Sequence, residues 1–214
     1  MMFDLLYKEL KLAAHPNLFI FTLLGVLVIV PAYPYGMVFM FGCLGPYITF
    51  MYGRETNDIY YTALLPVRKK DTVKAKCLLL VLAQMTQLII SLPFAFLRVK
   101  VLLAGNPAGI EANIAYYGFG LITYAIFNFI FLTHFFKTAY KAGKAFLAAI
   151  IPAFLVVAVM EVLVHFPKFQ WLDSIAPDAM LKQLPILVIG IVIYVISIFT
   201  AYHVSAERFE HVDL

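Results

Sequence analysis

Residues 53–76 read GRETNDIYYTALLPVRKKDTVKAK, the one strongly polar stretch of an otherwise apolar chain. Arg68, Lys69 and Lys70 stand side by side, and Lys74 and Lys76 follow within about one and a half helical turns. Apolar runs of membrane-spanning length flank the stretch on both sides, so it reads as a connection between two spans and not as part of a soluble domain. It also carries local order. Thr56, Asn57 and Asp58 are cap-forming residues, Ile59 to Leu65 suffices for about two helical turns, and Pro66 stops them. A short helix is therefore predicted inside the connection. Asp71 and Thr72 then cap the next long helix, with Lys74 and Lys76 near enough to the headgroups for their ammonium groups to snorkel.

Outside this stretch the composition is that of a bilayer protein. Of 214 residues 64% are hydrophobic and 13% charged, with a mean hydropathy of +0.92, whereas soluble domains are about half apolar and a quarter charged. One transmembrane domain, 1–214, accounts for the whole length, since only short polar breaks separate the apolar runs. The net charge of +4 sits at the edges of these runs, where it orients the chain and does not indicate nucleic-acid binding. Cys43 and Cys77 fall in or beside apolar runs without metal-ligand spacing and read as small buried hydrophobes, with no disulfide expected. The first residues lack the pattern of a cleaved signal.

Working outward, residues 1–14 carry Phe3, Leu6, Tyr7, Leu10 and Ala13 at helical spacing, with Asp4, Lys8 and Lys11 opposite, which predicts an amphipathic elbow helix in the interface. Pro16 breaks it. Six spans follow, at about 17–33, 37–52, 77–97, 114–136, 145–166 and 184–205. The second contains Gly42, Gly45 and Pro46, and Gly25, Gly42, Gly45 and Ala32 offer small surfaces for helix packing or a partner chain. Arg98 to Asn113 reads as a loop, with breakers Gly105, Asn106, Pro107 and Gly109. Residues 167–183 form an amphipathic outer loop whose Phe169, Trp171, Leu172, Ile175, Met180 and Leu181 dip into the leaflet. Twelve of the 16 Lys and Arg residues lie in the elbow, residues 53–76, the connection after the fourth span and the tail; only Arg98, Lys100, Lys168 and Lys182 lie on the other side. Both termini are therefore expected in the cytoplasm.

No phosphate-cradling loop, paired zinc ligands, nucleophile elbow or H-E-x-x-H motif occurs, and His15, His134, His165, His203 and His211 are scattered at span ends and in the tail. Glu161 and His165, four apart on the fifth span, are candidates for a gate or a proton or cation site, and equally for contacts with headgroups or the outer loop. Gln84, Gln87 and Asn128 either line a polar path or bond one helix to another, the commoner use of amides in spans. A gradient-driven secondary transporter would need an intramembrane ion centre, for which Glu161 alone qualifies. A membrane-embedded lipid-modifying enzyme would need a nucleophile or metal constellation, and none is visible.

An amphipathic elbow, six spans, a capped short helix in the second-to-third connection and an amphipathic outer loop before the last span resemble the permease subunits of type-2 ABC exporters. The most family-like residues are Glu55, Asn57 and Asp58 followed by Leu64, Leu65, Pro66, Val67, Arg68 and Lys76, similar to the E-x-x-x-D and L-P-V-x-R patterns of small bacterial members, with Asp58 one position closer to Glu55 than in the first pattern. Where many of these have Ser before the Leu-Pro pair and after Val, this chain has Ala63-Leu64 and runs straight to Arg68. The resemblance implies a bacterial plasma-membrane exporter of amphipathic peptides or other hydrophobic compounds, paired with a second permease chain. The chain itself would be neither an enzyme nor a cofactor binder. ATP and Mg would sit on a separate ABC ATPase subunit, docked through a coupling helix whose contact residues would be Glu55, Asp58, Ile59, Tyr60, Leu64, Leu65, Pro66, Arg68 and Lys69.

Overall fold

The computed structural model describes residues 2–101 and 106–213, and the regular structure among them is helical. Met1, Leu214 and residues 102–105 of the predicted outer loop, Gly105 included, lie outside the described residues. In chain order the helices are α1 (Met2–Lys8), α2 (Pro16–Leu23), α3 (Gly36–Glu55), α4 (Asp58–Ala63), α5 (Lys69–Val101), α6 (Ile114–Phe135), α7 (Ala142–Leu163) and α8 (Pro177–Glu210). A π-helical segment, Glu9–Ala13, prolongs α1, and a 3-10 segment, Leu24–Ile29, prolongs α2.

Helices α3, α5, α6, α7 and α8 are each long and apolar enough to cross a membrane. The stretches Met2–Ala13 and Pro16–Ile29 meet at 92° and make a sixth crossing only when taken as one broken span. The break has a local cause. Ala14 and His15 are extended, Pro16 pre-sets the first helical turn, and the His15 ring nitrogen Nδ1 accepts the Asn17 amide at 3.1 Å. From Pro16 to Ile29 the chain rises about 24 Å, less than the roughly 30 Å of a hydrocarbon core. Helices α5 and α8 extend beyond the predicted 77–97 and 184–205, because their ends continue as charged turns that an apolar window does not include. Pro46, Pro93, Pro152 and Pro185 are carried inside helices, as neighbouring helices allow in a bilayer.

These five helices and α2 form a ring in the order α2, α3, α7, α6, α8, α5, with α3 and α6 touching across its middle. Accordingly 61% of the spanning window is buried in both α3 and α6, against 17% in α8, whose outer face is left to lipid. Between the inner pair the core is aromatic: Phe50 packs edge-on to Phe131 and Phe135, and Phe39 to Tyr124. Glycines set the closest approaches. A Cβ at Gly190 would lie 2.5 Å from the Gly118 carbonyl oxygen, so α6 and α8 can cross only where both lack side chains. Of the two uses read from the sequence for the small residues, helix packing is the one seen within the chain: Gly25 and Gly42 admit Gln87 and Tyr124, and Gly45 faces Leu18 and Phe21. Ala32 sits in the α2–α3 turn with φ 56°.

Candidate functional site

Helix α4 starts after Asn57, whose left-handed backbone (φ 52°) turns the chain off α3; its side chain makes no capping bond. Thr62 bonds back to the Asp58 carbonyl at 2.7 Å. One face turns inward: Ile59 is only 8% exposed and Thr62 is buried. The other carries Tyr60, Tyr61, Leu64 and Leu65, with Leu64 67% exposed and the two tyrosine rings edge-to-face. Of the residues expected to meet a partner, Asp58 and Ile59 are therefore turned into the protein, while Tyr60, Leu64, Leu65 and Pro66 are outside. Tyr61, which the sequence reading omits, joins that exposed set.

Beneath α4 lies a ring of four charges. The Lys76 ammonium donates to Glu9 Oε2 at 2.9 Å and to Asp58 Oδ2 at 2.7 Å. Lys8 completes the ring, donating to Glu9 Oε1 at 2.8 Å, pairing with Asp58 Oδ1 and donating to the Thr62 hydroxyl at 2.8 Å. Two cations and two carboxylates thus balance, binding α1, α4 and α5 together. Lys76 is 3% exposed and Glu9 1%, so Lys76 does not snorkel to headgroups as expected; the carboxylates opposite it make burial tolerable. Burial alone would raise the Asp58 carboxyl, but the charges and hydrogen bonds of Lys76 and Lys8 outweigh it and hold the group below the usual carboxylate range.

Around the ring, Glu55 is exposed and paired with Arg54, whose guanidinium lies 5.3 Å from the Tyr140 ring. Arg68 forks onto Asp71 at 2.7 and 3.1 Å and stays exposed. Lys69 has a role within the chain: its ammonium donates to the carbonyls of Val212 at 2.7 Å and Glu210 at 3.3 Å, fastening the C-terminal end of α8 beside α4.

The inward face of α5 carries polar groups all the way across the bundle. Gln84 and Asn128 exchange two hydrogen bonds at 2.9 and 2.7 Å, and the Tyr194 hydroxyl donates to Gln84 at 3.1 Å. Gln87 donates to the carbonyls of Phe21 and Val38 and accepts from the Tyr124 hydroxyl. These three amide side chains are fully buried and bond α2, α3, α5, α6 and α8 to one another. At the end opposite α4, Arg98 forks onto Glu111 at 3.0 and 3.1 Å, with the Tyr35 ring 5.2 Å from its guanidinium. Glu111 in turn donates its amide to Asp173 at 2.7 Å, and burial pushes the Asp173 carboxyl up.

Glu161 sits at the same end. Its two oxygens accept the Gly36 amide at 2.8 Å and the Ile110 amide at 3.0 Å, and no hydrogen bond joins it to His165, one turn on and exposed. Gly109 makes this possible, since a Cβ there would fall 1.6 Å from the carboxylate. Asn113 and Gln183 clamp the amphipathic outer loop, both donating to the Leu172 carbonyl, while Phe166, Phe169 and Trp171 stay exposed.

Sequence reasoning missed the roles of Glu9 and of the Arg98–Glu111 pair. A signal for Glu9 did exist: with Leu5 and Ala13 it occupies i, i+4, i+8 on one face, an acid on the side that packs. No group of three or more His, Cys, Asp or Glu among the described residues is placed to hold a metal ion. Neither a curated protein nor a solved structure matches the chain. The model of one family, described as ABC-2 family transporter protein, matches residues 4–205. With that match covering nearly the whole length of a helical, multi-pass membrane chain, this protein belongs to the ABC-2 family and is an ABC-2 type permease.

Proposed function

We propose that the chain is the transmembrane subunit of an ATP-driven exporter and that α4 is the helix through which a separate ABC ATPase drives it. One observation carries the reading. A short helix outside the spans leaves Tyr60, Tyr61, Leu64 and Leu65 uncovered, while its other face is fixed by buried charges to α1 and α5. Such a helix combines an apolar surface, on which each large side chain buried by a partner is worth roughly 1.5–3 kcal/mol, with a stiff connection to a spanning helix. The sequence has no phosphate-binding loop, so ATP and Mg belong to the partner. Exposed Glu55 and Arg68 flank the apolar patch and supply charge complementarity. Motion of the ATPase then moves Asp58, and through Lys76 the whole of α5.

In this reading the α4 end and both termini face the cytoplasm of a bacterial cell, following the distribution of Lys and Arg. A second copy meets the exposed apolar faces of α2 (Phe19, Ile20, Leu23) and α7 (Phe154, Leu155, Val159). The cargo is an amphipathic peptide or another hydrophobic compound. A gradient-driven transporter gains no support from Glu161, whose oxygens already accept two backbone amides. The test is co-purification. Leu64→Asp should release the ATPase in detergent while the permease stays folded, and Lys70→Ala should leave the complex intact; a Leu64→Asp permease that retains a coupled ATPase overturns the proposal.

A further inference from the structure

Between α5, α6 and α8 a cavity of about 760 Å³ runs from Val81 to Val99 on α5. That is about 27 Å of helix, close to the roughly 30 Å of a bilayer core. Its volume is that of a ligand site, about 300–1,000 Å³. The back wall is buried, formed by Leu88, Ala95, Leu121 and Tyr194, whereas the rims, Leu92 and Phe96 on α5 and Ile191 and Val195 on α8, are exposed. The slot therefore opens sideways at membrane depth.

The few polar groups in its wall are already engaged: the Tyr194 hydroxyl on Gln84, the Tyr117 hydroxyl with Ser91, and the Asn113 side chain on the Leu172 and Ser174 carbonyls. Water entering the slot would find almost no partner, and a dry apolar site facing the bilayer core takes what that medium offers. At the mouth farthest from α4 stands a charge. The Lys100 ammonium lies 4.5 Å from the ring of Phe96 on the rim, placed to meet a phosphate at the headgroup level.

We propose that this slot is a binding site for one acyl chain of an anionic phospholipid whose headgroup pairs with Lys100. Because the bilayer core is two acyl chains thick, a chain whose headgroup is at Lys100 fills the half of the slot between Val99 and Leu88, about 16 Å of helix, and becomes part of the packing of α5 against α8. The site lies away from α4 and does not depend on the ATPase reading.

The test uses the full chain in nanodiscs of phosphatidylcholine containing phosphatidylglycerol with a photoactivatable diazirine on one acyl chain, and adducts mapped by mass spectrometry. Adducts at Leu92, Phe96 and Ile191 should exceed those at Ile189 and Phe199, exposed on α8 outside the slot and outside the proposed contact with a second copy. Ala95→Trp, which fills the back of the slot, should lower the rim adducts about tenfold and leave the Ile189 and Phe199 adducts unchanged; if it does not fold, Ala95→Leu should act in the same direction. Lys100→Gln should reduce the preference for phosphatidylglycerol over an equivalent phosphatidylcholine probe about fivefold. Equal labelling of the rim and of Ile189 and Phe199, or rim adducts indifferent to Ala95→Trp and Ala95→Leu, would make the slot ordinary lipid-facing surface and overturn the proposal. A slot that retains the chain but shows no headgroup preference, unchanged by Lys100→Gln, would overturn the assignment to an anionic lipid.

Discussion

Lys76 and Arg98 lie on the same inward face of α5, about 33 Å apart, one at each border of the hydrocarbon core. Both are buried and both meet carboxylates, yet their surroundings differ in kind. Lys76 is held by two acids from two other elements, Glu9 and Asp58, with Lys8 closing a neutral ring. Arg98 meets one acid, Glu111, in the connection that follows its own helix, and its Nη1 has no partner. Nearby, Glu161 holds the far end by accepting backbone amides. The α4 end is thus joined through side-chain charges between separate helices, and the far end through an adjacent pair and main-chain bonds. Charges between separate helices can transmit a shift of one element to another; main-chain clamps chiefly fix where a connection lies.

The comparison is broken most severely at Lys76. Lys76→Ala leaves Glu9 and Asp58 buried with Lys8 as their single cation, and should cost about 3–5 kcal/mol, read as loss of thermal stability in detergent. Coupling Lys76→Met with Glu9→Gln leaves the neutral Lys8–Asp58 pair and should recover most of it; a double variant no better than the single would refute a charge-balanced ring. Arg98→Ala also leaves one uncompensated carboxylate, but Glu111 is less deeply buried than Glu9, 7% exposed against 1%, so the cost should fall at the low end, about 3 kcal/mol by the same measurement.

Glu161→Gln sharpens the contrast. An amide in that place can accept one of the two backbone donors and presents N–H to the other, so about 1–2 kcal/mol should be lost. Because the residue fixes the Gly36 and Ile110 backbones, permease yield and transport should fall together. A fall in transport at unchanged yield and stability would instead support a gate at this position.

Smallest is the effect of pH. The folded-state Asp58 carboxyl lies below its ordinary value, so its contribution is present in full above the ordinary carboxylate pKa of about 3.9 and is lost as pH falls through the depressed value. Acidification should loosen α4, measured as faster hydrogen exchange of the Tyr61 and Thr62 amides, and Asp58→Asn should abolish that dependence.

How much of this is visible in the sequence depends on the range of the interactions. Long apolar runs and one polar break announce the spans and the short helix, because both are local patterns. Which face of α4 is exposed is misread for Asp58 and Ile59, since six helical residues give less than two turns of periodicity. The ring is assembled from positions 8, 9, 58 and 76, brought together only when α1 folds back through 92° beneath α4. Glu161 meets backbone amides, which any residue supplies and no spacing reveals; its spacing to His165 points to a partner it does not take. The amides of α5 are legible as interhelical bonds or a path, and their choice among Tyr124, Asn128 and Tyr194 needs the packing.

The most direct test sets the two ends of the molecule against each other. A photo-cross-linking amino acid placed at Tyr61, exposed on α4, or at Trp171, exposed at the opposite end, is activated in native membranes and the adducts are identified by peptide mass. The account predicts an ABC ATPase adduct from position 61 and none from position 171. An ATPase adduct from position 171, or none from 61, 64 or 65 in membranes where the complex is assembled, would contradict it.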